Sequence, residues 1–303
     1  MDSPKTPPEF EPIQVDHYWG HVHHVTALLV LNNGSCVITG CADGIIRVFM
    51  KDKPHTLVAQ VKVHLEGQVN CLTTSENDSL IASAGHDRAI ALIRFADMTV
   101  LKTFKNHRKQ ITDVKISKDV KTLCSVGWDK RINLYDIQKL RKILTLTIDG
   151  TPLSCCAFSF KNNMVATGTW GGLVKVFPVN KLPKITEEDA TTLNDHKSKI
   201  TSIAFSRAGM MATGSYDSQV HIYHYRGFYS LFSFCPDGGW VRSMAFSPDS
   251  LLLATLTDAD FMVKCWDAVT QELEFSYQVQ TEDLLLCTFL NDGRLIAAGS
   301  SPS

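Results

Sequence analysis

One pattern recurs six times along this chain at a nearly fixed interval. The copies are CVITGCADGIIRVF, LIASAGHDRAIALI, TLCSVGWDKRINLY, MVATGTWGGLVKVF, MMATGSYDSQVHIY and the looser LATLTDADFMVKCW. Each is an apolar strand, a tight turn, and an alternating strand that ends in a large apolar residue. The turn positions are Asp43, Asp87, Asp129, Gly171, Asp217 and Asp260, spaced by 44, 42, 42, 46 and 43 residues. The large residue follows six positions later each time, as Phe49, Ile93, Tyr135, Phe177, Tyr223 and Trp266. Another short apolar segment precedes each pair: VTALLVL, VNCLTT, ITDVKIS, LSCCAFS, ITSIAFS and VRSMAFS. A partial seventh copy follows as DLLLCTFLNDGRLIAAGSS.

Short strands rich in Val, Ile, Thr and aromatics, bounded by turn residues, predict an all-β fold. No segment of helical length has a convincing amphipathic pattern. A period of 40–45 residues with four strands per unit predicts a β-propeller. A single such sheet cannot bury its own faces, so each blade depends on its neighbours. The predicted blades lie near 20–50, 64–95, 107–137, 149–179, 196–225, 237–268 and 283–301. Residues 1–12 hold four prolines and little to bury, which predicts a disordered lead before a propeller over 13–303. Forty-two residues after Asp260 lies Pro302, so the seventh blade lacks its third strand. Residues 13–19, IQVDHYW, are the predicted closing strand. That strand either lies outermost, which requires a third strand supplied by a longer form of the chain, or slides inward to replace it.

Bulk properties narrow the function. Hydrophobic residues make up 44%, charged residues 20%, and the net charge is −1. That balance creates no field for nucleic acid or an anionic membrane. No apolar run approaches a membrane span, and the N-terminus has no secretory pattern. The nine cysteines include no C-x-x-C pair, and most sit in strand-like runs, which predicts free buried thiols. The predicted location is the cytoplasm or nucleus. His17, His21, His23 and His24 lie close together, but no Cys or carboxylate completes a tetrahedral set. Neither a phosphate-cradling glycine loop nor a G-x-S-x-G elbow occurs. No cofactor or metal is expected, and no catalytic residue is assigned.

The register of these copies resembles the WD-repeat family over about residues 13–301. Gly20-His21 matches the family's opening pair, and His64, His107 and His196 occupy the same place, with Asp149 and Asp237 substituting. Trp266-Asp267 matches the family's ending, and Tyr135-Asp136 comes close. The resemblance implies a buried hydrogen-bond chain inside each blade. Its best copies are His107, Ser125, Asp129 and Tyr135, and His196, Thr213, Asp217 and Tyr223. Their recurrence at the repeat period marks them as structural. Blades 6 and 7 also resemble WD-repeat substrate receptors that end in a SOCS box, although no such box follows here. WD-repeat domains at the end of nucleotide-binding sensor proteins look similar as well.

The same resemblance places the residue before each turn Asp on one face of the disc. These are Ala42, His86, Trp128, Trp170, Tyr216 and Ala259. Residues just before the first strands reach that face too, including His24, Gln68, Gln110, Lys199 and Trp240. Four successive blades thus carry aromatic or imidazole rings at one position, and Trp and Tyr dominate binding hot spots. The predicted partner-binding set is His86, Trp128, Trp170, Tyr216, Trp240, Lys199, Gln110 and Gln68. The expected function is a non-catalytic scaffold, monomeric as a chain, that holds a protein or peptide within a complex. The alternatives are a ubiquitin-ligase substrate receptor lacking its recruitment tail and, remotely, a propeller enzyme. The segment KLPKITEEDATTLNDH, 181–196, is read as an insertion loop or an acidic contact.

Overall fold

A computed structural model describes residues 7–15, 21, 23–236, 239–260, 262–279 and 283–300. The chain forms a seven-bladed β-propeller. Six blades are four-stranded sheets with strands in sequence order, and the seventh has three strands. Blade 3 is typical: Ile111–Ile116, Thr122–Gly127, Arg131–Asp136 and Arg141–Thr147 run antiparallel from the axis outward. The seven innermost strands contact one another in a closed ring, since Val25–Val30 of blade 1 meets Asp283–Phe289 of blade 7. Helix among the described residues amounts to two single turns, Val179–Lys181 and Glu187–Asp189. Both fall in the 181–196 segment or beside it. They lead to the short outer strand of blade 4, Thr191–Leu193.

The core lies between blades. Each of the seven hydrophobic clusters draws side chains from two adjacent blades. Alternation along each strand sends apolar residues to both faces, and each face meets a neighbouring sheet. The nine cysteines are all free; six are buried and only Cys235 is exposed.

Two devices fix neighbouring blades in register. Each inner strand carries a bulge near its start, as between Ile111 and Asp113. In blades 1, 2, 3 and 5 the residue inside the bulge reaches across to the next blade. Thr112 Oγ1 donates to Leu153 O at 2.9 Å, Asn70 Nδ2 to Ile111 O at 2.7 Å, and Thr26 Oγ1 to Val69 O at 2.5 Å. On the opposite face the turns between first and second strands bond sideways. Examples are Lys118 N to Asn162 Oδ1 at 2.8 Å and Arg207 N to Ser250 Oγ at 3.0 Å.

Closure uses the inward arrangement. The closing strand is described over Phe10–Val15, beginning three residues ahead of the expected 13–19, within the expected lead. It takes the third position and pairs in parallel with Leu295–Ser300, from Phe10 opposite Leu295 to Val15 opposite Ser300. The direction follows from topology. A strand that leads into a first strand runs as a fourth strand does, which is also the direction of a second strand. Moved inward by one place, it lies parallel to its new neighbour. Residues 16–20 lie outside the described residues, as does Asp237.

Candidate functional site

The interior of each blade is fixed first. His107 Nδ1 lies 3.0 Å from Asp129 Oδ1, and its Nε2 lies 2.7 Å from Ser125 Oγ. His196 repeats this with Asp217 Oδ2 at 2.9 Å and Thr213 Oγ1 at 2.8 Å. His64 does the same with Asp87 at 2.8 Å and Ser83 at 2.6 Å, although Ile93 stands where an aromatic was sought. The tyrosines lie buried beside these chains. Tyr223 donates to Asp195 Oδ2 at 2.8 Å. Burial would raise the Asp129 carboxyl, but the His107 hydrogen bond and charge hold it below the usual carboxylate range. Asp87 is lowered by His64 in the same way. Asp217 is lowered by the Lys197 backbone N–H and by His196.

Blades 1, 4 and 6 use substitutes. In blade 1, Asp43 pairs with Arg47 at 2.7 Å, and His21 Nδ1 faces Cys41 Sγ at 3.3 Å. In blade 4, Thr151 Oγ1 accepts from Gly171 N at 2.8 Å. In blade 6, Trp266 Nε1 donates to Thr255 Oγ1 at 2.9 Å, and Asp260 pairs with Lys264 at 2.6 Å.

These turns set the geometry of one rim of the disc. In blades 1 to 6 the first residue after the second strand donates its N–H to the carbonyl just ahead of the first strand. The pairs are Ala42 with His24 and His86 with Gln68 (both 3.0 Å), Trp128 with Gln110 (3.0 Å), Trp170 with Pro152 (2.9 Å), Tyr216 with Lys199 (2.9 Å) and Asp258 with Trp240 (3.2 Å). The two predicted sets of rim residues are therefore joined blade by blade. Blade 6 departs, because its turn is one residue longer and Asp258, not Ala259, takes the bonded place. Asp258 Oδ1 also accepts from Trp240 N at 2.6 Å.

The rings meet across blade boundaries. Trp128 and Trp170 pack edge to face with centroids 5.3 Å apart. Lys199 Nζ lies 4.8 Å from the Trp170 centroid and 5.0 Å from that of Tyr216. Tyr216 stacks on Trp240 at 4.4 Å and 18°. The result is a continuous belt over blades 3 to 6. Yet Trp128, Trp170 and Trp240 remain 38%, 40% and 47% exposed, so the rings contact one another and still face solvent. Inside the belt, at the mouth of the channel, Ser154, Lys199, Thr201, Tyr216, Arg242 and Leu285 line a depression of about 300 Å³. Arg242 escaped the sequence reading, because it is the second residue of an inner strand, where most other blades carry a small polar side chain. His86 and Gln68 are exposed on the same rim, and Gln110 is half-buried. None of the three has a ring contact with the belt among the described residues. Of the four clustered histidines, His17 lies outside the described residues.

Comparison with known proteins agrees with this architecture. The profile of the WD domain, G-beta repeat, matches residues 11–49, 55–93, 98–136, 141–177, 188–224 and 229–267. The nuclear distribution protein PAC1 of Arthroderma benhamiae is 27% identical over 62% of this chain and 36% of its own length. A ribosome biogenesis protein WDR12 homolog of Nematostella vectensis is 20% identical over 88% of this chain and 71% of its own. Apoptotic protease-activating factor 1 of Homo sapiens is 26% identical over 71% of this chain and 17% of its own. The chain spans about a third of the length of the PAC1 relatives. With six repeats matched in register over most of its length, the chain belongs to the WD domain, G-beta repeat family.

Proposed function

We propose that this protein is a non-catalytic interaction scaffold that presents the belt Trp128–Trp170–Lys199–Tyr216–Trp240 to a partner protein. The observation that carries this reading is the belt's continuity combined with its exposure. Isolated surface aromatics are ordinary, whereas a connected patch of large, stiff rings marks a contact surface. Such rings bury large area with few rotors to immobilise, and each anchor contributes ~2 kcal/mol or more once a partner covers it. The His–Asp pairs do not favour an enzyme. They are buried, they recur at the repeat period, and each is bonded on both sides within its own blade. The relatives include proteins named for nuclear distribution and for ribosome biogenesis, which is consistent with scaffolds that serve different assemblies.

The test is a Trp128→Ala/Trp170→Ala double variant, with crosslinking mass spectrometry of the native complex to identify the partner. The variant is expected to keep the wild-type circular dichroism and melting cooperativity and to lose the crosslinked partner. Retention of that partner by a folded variant would refute the proposal.

A further inference from the structure

Among the described residues, each blade ends outward on a strand with only one paired edge. Such an edge offers its free N–H and C=O groups to any strand that meets it, and charge, proline, bulges or brevity are the usual means of blunting it. The outermost strands differ in how they are guarded. Lys53–Lys62 of blade 1 carries Lys53 and Lys62 and is broken by two bulges. Thr99–Phe104 carries Lys102, Arg141–Thr147 carries Arg141 and Lys142, and Leu273–Gln278 carries Glu274. Thr191–Leu193 is three residues long, and Phe10–Val15 carries Glu11 and Pro12. Tyr229–Phe234 of blade 5, YSLFSF, runs for six residues with neither a charge nor a proline.

We infer that this edge pairs with a second copy of itself, antiparallel across a two-fold axis. The strand is held ready for that contact. Phe232 and Phe234 pack against the apolar cluster between blades 5 and 6, and Phe234 meets Trp266 at 4.8 Å. Tyr229 stacks on His224 at 5.1 Å and 11°. Tyr229 and Leu231 nonetheless remain 56% and 41% exposed. A backbone edge accepts an extended strand, and the side chains decide which one. In a two-fold antiparallel contact each strand meets the residues it presents. On blades 2, 3 and 6 that arrangement brings Lys, Arg or Glu toward its own copy, and like charges across strands are destabilising. On blade 5 only Tyr, Ser, Leu and Phe meet one another. Nothing on this edge selects a foreign strand by charge, whereas self-pairing needs only the strand itself.

Direction follows from topology. Tyr229–Phe234 runs toward the rim of the aromatic belt, since Trp240 lies on the loop that follows it. The antiparallel copy runs the other way, so its belt faces the opposite side. Two four-stranded blades join into one sheet, and both belts stay uncovered. A contact six residues long falls at the small end of protein interfaces, so the association is weak and reversible. This differs from the single-chain state expected from the sequence.

The experiment is sedimentation equilibrium of the full chain under reducing conditions, from about 1 μM to about 1 mM. The mass should rise from one chain toward two. A two-fold axis near the middle of the strand brings Leu231 beside its own copy, so Leu231→Lys should weaken the association about tenfold or more. Ser233→Lys, at another exposed position of the strand, should do the same and stands in if Leu231→Lys fails to fold. Val100→Lys, on the guarded outer strand of blade 2, should leave it unchanged. Urea unfolding checks each variant. Hydrogen exchange of the wild type should slow with concentration at Tyr229–Phe234 and not at Thr99–Phe104. A single chain at every concentration, a dimer that persists in a folded lysine variant of Tyr229–Phe234, or protection that falls elsewhere would each overturn the inference. Protection of Tyr229–Phe234 only when another protein is added would give the edge to a foreign strand and overturn it as well. The belt has a separate readout, because the tryptophan double variant should self-associate as the wild type does.

Discussion

The Trp128 indole meets the Trp170 indole edge to face, 5.3 Å between centroids, although the two residues belong to different blades. Each ring stands on a backbone bond within its own blade, so the pair reports how rigidly blades 3 and 4 are held side by side. Edge-to-face pairs contribute ~0.5–1.5 kcal/mol beyond the area they bury, with the low end fitting half-exposed rings. A double-mutant cycle on unfolding free energy, with Trp128→Ala and Trp170→Ala, should therefore give a coupling of ~0.5 kcal/mol. Strict additivity would mean the rings do not touch in solution.

His107 bridges Asp129 and Ser125 at the centre of blade 3, with its ring fully enclosed. Replacing it with alanine leaves both partners in a dry interior, and stranding a buried carboxylate costs ~3–5 kcal/mol. Ser125→Ala removes only the neutral end and should cost ~1–2 kcal/mol. Urea unfolding should rank the variants His107→Ala, then Ser125→Ala, then wild type in rising stability. Equal stability of the two variants would contradict a chain anchored by the carboxylate.

The same chains predict an acid response. Asp87, Asp129 and Asp217 are held below the usual carboxylate range in the fold, so the unfolded chain takes up protons first as pH falls. Their contribution is complete above the unfolded carboxylate value, about 3.9 by ordinary peptide standards, and is lost as pH falls through the lower folded values. His221 adds an earlier step. Burial and the charge of neighbouring His196, at 4.4 Å between rings, keep it neutral to lower pH than usual. Its contribution is therefore present above about pH 6.5 and erodes below it. Melting temperature should drop gently from pH 6.5 to 5 and steeply below 4. His221→Gln should flatten the first slope and leave the second. A first slope unchanged by that substitution would show that His221 does not carry it.

Local rules made much of this legible in the sequence. The turn Asp recurs at the blade period, and the bond just ahead of it fixes which residue faces the rim. It is the WD-repeat resemblance that puts Trp128, Trp170 and Tyr216, each one position before that turn residue, on one face. The one-residue insertion at Ala259 broke that register, because blade 6 keeps its bond at Asp258. Long-range chemistry was not legible. The Asp43–Arg47 pair replaces a histidine contact with a bond four residues away, and Arg242 belongs to the site only because the ring brings blade 6 beside blade 5. The closing strand begins three residues ahead of the expected start, because its register is set by contacts with both neighbouring blades, which a short strand does not encode in its own pattern.

Those contacts define the seam. Phe10 stacks on Tyr277 of blade 6 at 4.4 Å and 18°, and Tyr277 donates to Pro8 O at 2.9 Å. On the other side, Glu11 pairs with Lys51 of blade 1 at 2.6 Å and with Arg294 at 3.5 Å. Among the described residues the strand has one hydrogen-bonded neighbour, pairs in the slightly weaker parallel mode, and carries no fourth strand outside it. The side-chain clamps therefore carry more of the closure here than in any four-stranded blade. Native-state hydrogen exchange should show the amides of Leu295–Ser300 opening at lower free energy than those of Thr122–Gly127. Phe10→Ala removes a half-buried ring, with a cost of ~2 kcal/mol that should fall on blade 7 first. Exchange at Leu295–Ser300 should accelerate while Thr122–Gly127 stays at its wild-type rate under conditions where local opening dominates. Equal acceleration in both strands would mean that the ring opens all at once and that the seam is no weaker than the rest.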